Sequence, residues 1–293
     1  MAKVSKRLIV GDNTNIVKNT LFDYIITDKD GSLFAQKIQF LVKDCVFSNN
    51  QANNGGAVAI INCSSDFLTS NFTRCFAINK AGAIHAIDST LNIENQHHYG
   101  CECEAIGGAA IFKKCTVGIK LSNYLKCRAY SVAVFYLDGN VFSCSNSNFL
   151  FNVCKNNLSP LIQTFYNSAT FYMCYFKNNS KGELLSVSEG IIFVENSFLE
   201  DNITFQVYNN SENIKIKDPI LVEPQISLNI IRPEKRKLIF LNVDESGELM
   251  PLIKSISLIT IITIVSYLLL PSAKKSSIYE KGETIHPEFE IVS

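Results

Sequence analysis

The stretch FSNNQANNGGAVAI, Phe47 to Ile60, places an aromatic residue, a run of Asn, a Gly pair and a short apolar run in one order. It is too polar for a core helix and too rich in Gly for an ordinary strand. Its first part recurs as an aromatic residue or His followed three positions later by Asn, Cys or Asp. The leading residues are Phe47, Phe72, His98, Tyr124, Phe149, Tyr175 and Phe198. The third-place residues are Asn50, Cys75, Cys101, Cys127, Asn152, Asn178 and Asp201, with spacings of 25, 26, 26, 25, 26 and 23. This regularity indicates an internal repeat.

The second part of the stretch recurs in the same rhythm. GGAV begins at Gly55, AGAI at Ala81 and GGAA at Gly107, and weaker copies follow. The Ala of each signature, or its replacement, falls at 57, 83, 109, 133, 160 and 184. Between signatures lie segments with period-two alternation, such as TLNIEN from Thr90 and TVGIKLSN from Thr116, which is typical of strands. Turn-forming Asn, Asp, Ser and Gly precede these segments.

Each period therefore predicts three short strands separated by turns. Three strands per coil without helices are typical of a parallel β-helix, here of about seven to eight coils. Leucine-rich repeats share the period, but their Leu-x-x-Leu-x-Leu pattern is absent from the sequence.

Stacking the coils predicts columns of equivalent residues. The aromatic residues are expected to stack ring on ring, which stabilises each pair by roughly 0.5–1.5 kcal/mol. A structural ladder at one corner is expected from Asn50, Cys75, Cys101, Cys127, Asn152 and Asn178. The three consecutive Cys of this ladder would lie within disulfide range, but thiols pointing the same way favour a free thiol in at least one position.

Composition narrows the possible partners. The 293 residues carry 27 basic and 27 acidic side chains, so no net charge favours nucleic acid. Ten Cys suit an oxidising compartment, although stacked structural thiols are an alternative. The glycosylation candidates are Asn62, Asn71, Asn178, Asn202 and Asn209, and Asn157 also fits the N-x-S/T pattern.

A second kind of segment lies near the C-terminus. Ser255 to Ala273 carries no charge and is apolar on every side, which predicts a transmembrane helix. Lys274 and Lys275 follow it and favour a cytoplasmic C-terminus. The N-terminus has no run long enough for a signal-peptide h-region, so the export route stays open. The predicted organisation is a cap or leader over 1–21, repeats over 22–208, a capping strand and stalk over 209–253, a span over 254–273 and a tail over 274–293.

Two groups of side chains are candidates for chemistry. HHYGCEC offers His97, His98, Cys101 and Cys103 as metal ligands, but His98 and Cys101 already have places in predicted columns. Asp88, Asp138 and Glu189 are candidate catalytic carboxylates on one edge of the coils, and the alternative is that they are turn residues. No cofactor site is predicted.

The FxxN motif of Phe47 to Asn50 and the GGA[ILV] motif of Gly55 to Val58 resemble the repeats of the chlamydial polymorphic membrane protein (Pmp) family. The resemblance extends to Pmp-like surface proteins of trichomonad protozoa, which have a single C-terminal membrane helix. It covers residues 22 to 208 and the span, and only the first repeat carries both motifs intact. It implies a right-handed, pectin-lyase-like parallel β-helix that acts in adhesion or surface display. The bacterial family also has a C-terminal autotransporter barrel, which this sequence lacks.

These observations predict a non-enzymatic, membrane-anchored surface protein. Its N-terminal body is expected outside the plasma membrane, bound to a protein or glycan of a host or neighbouring cell, with the tail in the cytoplasm. A polysaccharide lyase or hydrolase on the same fold is the first alternative. A tail-anchored cytosolic scaffold is the second.

Overall fold

The computed structural model describes residues 1–11, 16–179, 183–200, 204–208 and 213–220, with 204–208 as backbone only. Its strands form four sheets. Sheet A contains Ala2–Val4, Thr20–Asp23, Val46–Ser48, Asn71–Thr73, His97–Tyr99, Asn123–Leu125, Asn148–Leu150, Tyr175–Lys177 and Phe198–Leu199. Sheet B contains Leu8–Val10, Leu33–Gln36, Val58–Ile61, Ile84–Ile87, Ala110–Lys113, Phe135–Asp138, Ile162–Phe165, Glu183–Ser188 and Thr204–Tyr208. Sheet C contains Ile16–Lys18, Gln39–Lys43, Ser64–Leu68, Thr90–Glu94, Thr116–Lys120, Val141–Ser145, Ser168–Tyr172, Ile191–Glu195 and Ile214–Lys217. Sheet D contains Gln51–Asn54, Phe76–Lys80, Glu102–Ile106, Arg128–Ser131 and Val153–Cys154.

The chain passes through the sheets in the constant order B, C, A, D. One coil runs through Val58–Ile61, Ser64–Leu68, Asn71–Thr73 and Phe76–Lys80 before the next strand of sheet B begins. Neighbouring strands are parallel and in register, so that Ser64 pairs with Thr90, one coil later. The protein is therefore an all-β parallel β-solenoid of about eight coils, which confirms the predicted repeat.

The prediction of three strands per coil was incomplete, because five coils have a fourth strand in sheet D. Its segments, such as QANN and ECEAI, are polar and do not alternate over their length. Only one side chain of each strand faces inward, from the buried column Ala52, Ala77, Cys103, Ala129 and Cys154. A segment with a single inward-facing apolar residue shows no alternation of apolar and polar residues, so its sequence does not predict a strand.

Sheet D also explains why the period alternates between 25 and 26 residues. The register between the strands Gln51–Asn54 and Phe76–Lys80 shifts between Ala77 and Lys80. A second shift occurs where Glu102–Ile106 meets Arg128–Ser131. These longer coils thus place their extra residue in sheet D as a bulge, and the strands of sheets A, B and C in the same coils stay in register.

The corners are turned by single residues with positive φ. Between sheets C and A these residues include Asn95 with φ of 53° and Leu121 with 52°. Asn and Asp tolerate this left-handed conformation, whereas Leu121 and Val132, with φ of 58°, adopt it at a cost of roughly 1–2 kcal/mol each. Stacking of adjacent coils keeps those corners in place.

The core lies inside the coils and contains the predicted aromatic stack. Seven rings lie face to face, with centroid separations from 4.5 to 5.2 Å. They are Phe22, Phe47, Phe72, His98, Tyr124, Phe149 and Phe176. The repeat spacing thus placed five of these seven positions correctly, whereas Tyr175 and Phe198 lie outside the stack.

The coils extend beyond the predicted repeat boundaries of 22 and 208. Ala2–Val4 pairs with Thr20–Asp23, and Ile214–Lys217 pairs with Ile191–Glu195. In the described ranges, no helix has the length and apolar character that a membrane crossing requires. The predicted span over 254–273 lies outside those ranges.

Candidate binding face

The predicted ladder at the corner between sheets A and D links neighbouring coils through side chains. The Asn50 carboxamide accepts a hydrogen bond from the Ile25 N–H at 2.9 Å and donates one to the Phe22 carbonyl at 3.0 Å. Both groups belong to the preceding coil, where the corner interrupts the strand ladder. The buried Asn side chain therefore replaces hydrogen bonds that regular strand pairing cannot provide there.

The three Cys of this ladder form only part of the hydrogen bonds that an Asn side chain forms at the same position. The Cys75 thiol donates to the Phe47 carbonyl and the Cys101 thiol to the Phe72 carbonyl, both at 3.5 Å. Burial raises the pKa of Cys75 and that of Cys127 well above the ordinary value.

All ten Cys are buried and none forms a disulfide. Stacked thiols in an in-register column point the same way, as expected, and this disfavours bridging between coils. Burial also raises the pKa of Cys45 and of Cys115 to about 11. The Cys side chains therefore serve as small apolar residues of the core.

The ladder differs from the prediction in its last member. Asn179, not Asn178, occupies the ladder and accepts from the Asn152 N–H at 3.1 Å. Asn178 is the exposed corner residue with φ of 52°. Tyr175 and Phe176 are adjacent aromatics, and sheet A pairs Phe149 with Phe176, so Phe176 and not Tyr175 is the repeat position. The column that contains Ala57, Ala83 and Ala109 also differs from the prediction by one residue in two coils. Val134 and Leu161 take the places expected for residues 133 and 160.

Two further ladders were missed by the sequence reasoning. Between sheets C and A, Ser70 accepts from the Cys45 N–H at 3.3 Å and Ser122 accepts from the Gln96 N–H at 3.3 Å. Between sheets B and C, Asn140 accepts from the Cys115 N–H at 2.6 Å. In the sequence, a Ser, Asn or Cys directly follows most of these corner residues. Such residues are also common in turns, so their presence alone predicts a turn and not a ladder.

The predicted metal ligands are separated by the wall of the solenoid. His98 is buried between Phe72 and Tyr124 in the ring stack, with centroids 4.5 and 4.7 Å away. His97 lies on the opposite side of the same strand, half buried. Cys103 is buried in sheet D, in the same column as Ala77 and Ala129. No group of three His, Cys, Asp or Glu in the part of the chain that the structure describes is arranged to hold a metal ion.

The predicted acidic residues do not come together either. Asp88 and Glu189 are corner residues with φ of 49° and 54°, four coils apart, which is roughly 19 Å. Asp138 stands one residue before the equivalent corner position and pairs with Lys113 at 3.4 Å. Asp138 is two coils from Asp88 and two from Glu189, so no two of the three carboxylates lie on neighbouring coils.

The glycosylation candidates differ in exposure. Asn62 and Asn178 are exposed corner residues, and Asn157 is exposed as well. Asn71 lies half buried on the outer face of sheet A. Asn202 and Asn209 lie outside the described residues.

The outer face of sheet C presents the most regular exposed surface of the described coils. Its five-residue strands each direct three side chains outward, in the alternation seen for Val141–Ser145 and Ser168–Tyr172. The rows lie roughly 4.8 Å apart and the columns roughly 7 Å apart.

Three adjacent strands of this face form what we call the sheet C patch. Its outward residues are Val141, Ser143, Ser145, Ser168, Thr170, Tyr172, Ile191, Phe193 and Glu195. Eight of the nine are uncharged, and they combine two aromatic rings with five hydroxyls, one of them on Tyr172. Tyr166 and Met173 border the patch at the corners and are 64% and 48% exposed. Tyr172, Phe193 and the bordering Met173 are of the residue types that are enriched in binding interfaces.

These features define the chain as a parallel β-solenoid with a structural interior and a regular outer face. No family model, curated protein or solved structure matches it. The resemblance to Pmp repeats therefore rests on the FxxN and GGA motifs.

Proposed function

We propose that this protein is a membrane-anchored surface protein that binds a protein or glycan partner through the sheet C patch, without catalysis. The observation that carries the proposal is the patch itself. Exposed Tyr172, Val141 and Ile191 lie on a flat, rigid sheet with hydroxyls between them. Aromatic and apolar side chains that the core does not need, gathered on one face, are typical of interaction sites.

The anchoring and topology belong to the same proposal. The charge-free stretch Ser255 to Ala273 supports a single helical span, and Lys274 and Lys275 support a cytoplasmic tail. The coil is proposed to be right-handed and pectin-lyase-like, since connections between parallel strands are almost always right-handed.

The test is binding of the full chain, purified in detergent, to a glycan array and to intact cells. The Tyr172→Ser variant removes an exposed ring from the patch and leaves the core unchanged. We expect its binding to weaken at least tenfold, as for an aromatic anchor of an interface. The matched control is Tyr130→Ser, which removes a ring that is 57% exposed on sheet D.

An equal loss in both Tyr variants, or binding that neither variant changes, would count against the patch. Failure of the unaltered chain to bind any cell or glycan would reject the function. Protease digestion of the N-terminal body on intact cells tests the topology, because a tail-anchored cytosolic scaffold would be protected.

A further inference from the structure

An exposed apolar residue lies at each end of Ser168–Tyr172, the central strand of the sheet C patch. Tyr166 lies two residues before this strand, Met173 directly follows it, and their side chains are 64% and 48% exposed. Both are corner residues with positive φ, of 50° and 52°. A bulky side chain adopts this left-handed conformation at a conformational cost that Gly does not have and that Asn has to a smaller degree.

The turns themselves do not require these two side chains. At the corner of Tyr166 the preceding coil has Gly139, with φ of 65°, and at the corner of Met173 it has Asn146, with φ of 50°. Neither Tyr166 nor Met173 belongs to the hydrophobic core inside the coils. Two strained, exposed apolar side chains that serve neither the turn nor the core indicate a role in binding.

This pair of corners is specific to the sheet C patch. In the described coils five exposed apolar residues have such a left-handed backbone: Tyr24, Leu121, Phe151, Tyr166 and Met173. Among the strands that the structure describes, Ser168–Tyr172 alone has one of them at each end. The side chains therefore extend the patch along its central row.

The charges around the patch balance one another. In the column of sheet C that ends each strand, Lys120 pairs in register with Glu94, and Lys217 pairs with Glu195. No net field therefore favours an acidic glycan. Met173 offers a sugar only a weak thioether acceptor, whereas Met and Tyr are enriched in protein interfaces. Charge and side-chain chemistry thus favour a protein partner.

The size of the patch decides against a second copy of the chain. The backbone runs roughly 23 Å from Tyr166 to Met173, and the three rows of the patch span roughly 14 Å. The patch thus covers roughly 300 Å², whereas each partner in a standard interface buries about 800 Å². Two identical patches of this size are too small to hold a stable dimer.

We propose that Tyr166 and Met173 anchor the sheet C patch to the apolar face of a protein partner. This inference rests on the function proposed above and narrows the partner from a protein or glycan to a protein. With Tyr172, the two side chains form an apolar line across the patch, and the Ser168 and Thr170 hydroxyls lie within that line. Burial of the two anchors on binding, not the stability of the coils, accounts for their presence at strained corners.

The variants Tyr166→Gly and Met173→Asn copy the residues of the preceding coil and remove the two anchors. Because strain is relieved, we expect the thermal unfolding midpoint of each full-length variant to rise by about 2–4 °C. Binding to intact cells is expected to weaken at least tenfold. The matched control is Phe151→Asn, at a corner with φ of 56° that sheet A separates from sheet C. It should raise the midpoint equally and leave binding unchanged.

The class of partner is tested on cells treated with trypsin, which is then inhibited, and on cells whose glycans periodate has oxidised. We expect trypsin to abolish binding of the unaltered chain and periodate to leave it unchanged. Binding that periodate abolishes, that survives trypsin or that a glycan array reproduces would overturn the protein partner and leave the proposed binding function in place. Absence of any binding by the unaltered chain would instead reject that function.

The role of the two anchors is judged separately. A midpoint that falls in either patch variant would show that the side chain supports the coils, and binding that neither variant weakens would show that it contacts no partner. Either result overturns the proposal. A dimer of the unaltered chain that Tyr166→Gly dissociates would assign the patch to a second copy and overturn it as well.

Discussion

Asn152 accepts a hydrogen bond from the backbone N–H of Cys127, 2.8 Å away and one coil earlier in the chain. The Asn152 amide also donates to the Tyr124 carbonyl at 2.9 Å. One buried side chain thus supplies both a donor and an acceptor to the corner of the neighbouring coil, where strand pairing stops.

Replacing Asn152 with Leu keeps the approximate shape of the side chain but removes these two hydrogen bonds and the one that its amide donates to Asn179. Because the Cys127 N–H and the Tyr124 carbonyl are buried, we expect the free energy of unfolding to fall by about 2–4 kcal/mol. Urea denaturation measures this change. Asn152→Cys, which copies the residue used in three other coils, is expected to lose less, and a larger loss for Cys than for Leu would contradict the ladder.

The opposite substitution, Asn in place of a ladder Cys, is expected to stabilise the protein. In Cys75→Asn, the new carboxamide donates to the Phe47 carbonyl and gives the Asn50 N–H an acceptor that a thiol scarcely provides. Since the same column already holds Asn50 and Asn152, we expect a gain of about 1 kcal/mol in unfolding free energy. Cys75→Leu is the control of equal shape. If thermal unfolding shows Leu to be as stable as Asn, the gain does not come from hydrogen bonding.

Ala81 and Gly82 are neighbours whose substitutions should have opposite signs. Ala81 has φ of 57°, so Ala81→Gly is expected to stabilise by about 1 kcal/mol. A Cβ on Gly82 would lie 2.2 Å from the Gly108 carbonyl oxygen and 2.7 Å from the Glu102 nitrogen. Backbone cannot yield as a side chain can, so we expect Gly82→Ala to destabilise by about 3 kcal/mol or more. Thermal unfolding of the two variants measures both effects, and equal shifts would contradict this account.

His85 makes stability depend on pH. Burial, reinforced by Lys80 and opposed by Asp30, lowers the pKa of His85 from 6.5 to about 4. Between these values the unfolded chain binds the proton and the folded chain does not. Stability therefore falls as pH drops through this window, by about 3 kcal/mol in full. Urea midpoints at pH 7, 5.5 and 4.5 measure the fall, which His85→Gln should reduce. An identical pH dependence in the variant would show that other groups cause it.

Spacing alone predicted the coil, because in-register stacking requires equivalent residues at equal distances. It even placed His98 in the ring stack, where its chemistry would have suggested a metal ligand. Spacing did not predict the stacked residue where two adjacent residues are both aromatic and either could occupy the repeat position. Tyr175 and Phe176 are both aromatic, and only the pairing of sheet A shows that Phe176 faces inward.

The candidate binding face was beyond the reach of sequence patterns for a different reason. Alternation shows that Tyr172 faces outward on sheet C, as Leu150 does on sheet A, but both patterns look alike in the sequence. Tyr172 is 40% exposed and Leu150 only 5%. Leu150 packs with Leu125, Tyr175 and Phe198 of other coils, and such contact between coils is a long-range property with no local signature.

The confinement of the extra residue to sheet D means that the rod has interchangeable units. Removing residues 76–101 would join Cys75 to Glu102 and bring the strand Gln51–Asn54 beside Glu102–Ile106. Each of the four sheets would lose one strand, and the remaining strands of sheets A, B and C would keep their alignment. Duplication of such a unit would lengthen the rod in the same way. The length of the protein can therefore vary in steps of one coil while the spacing of side chains on its outer faces stays constant.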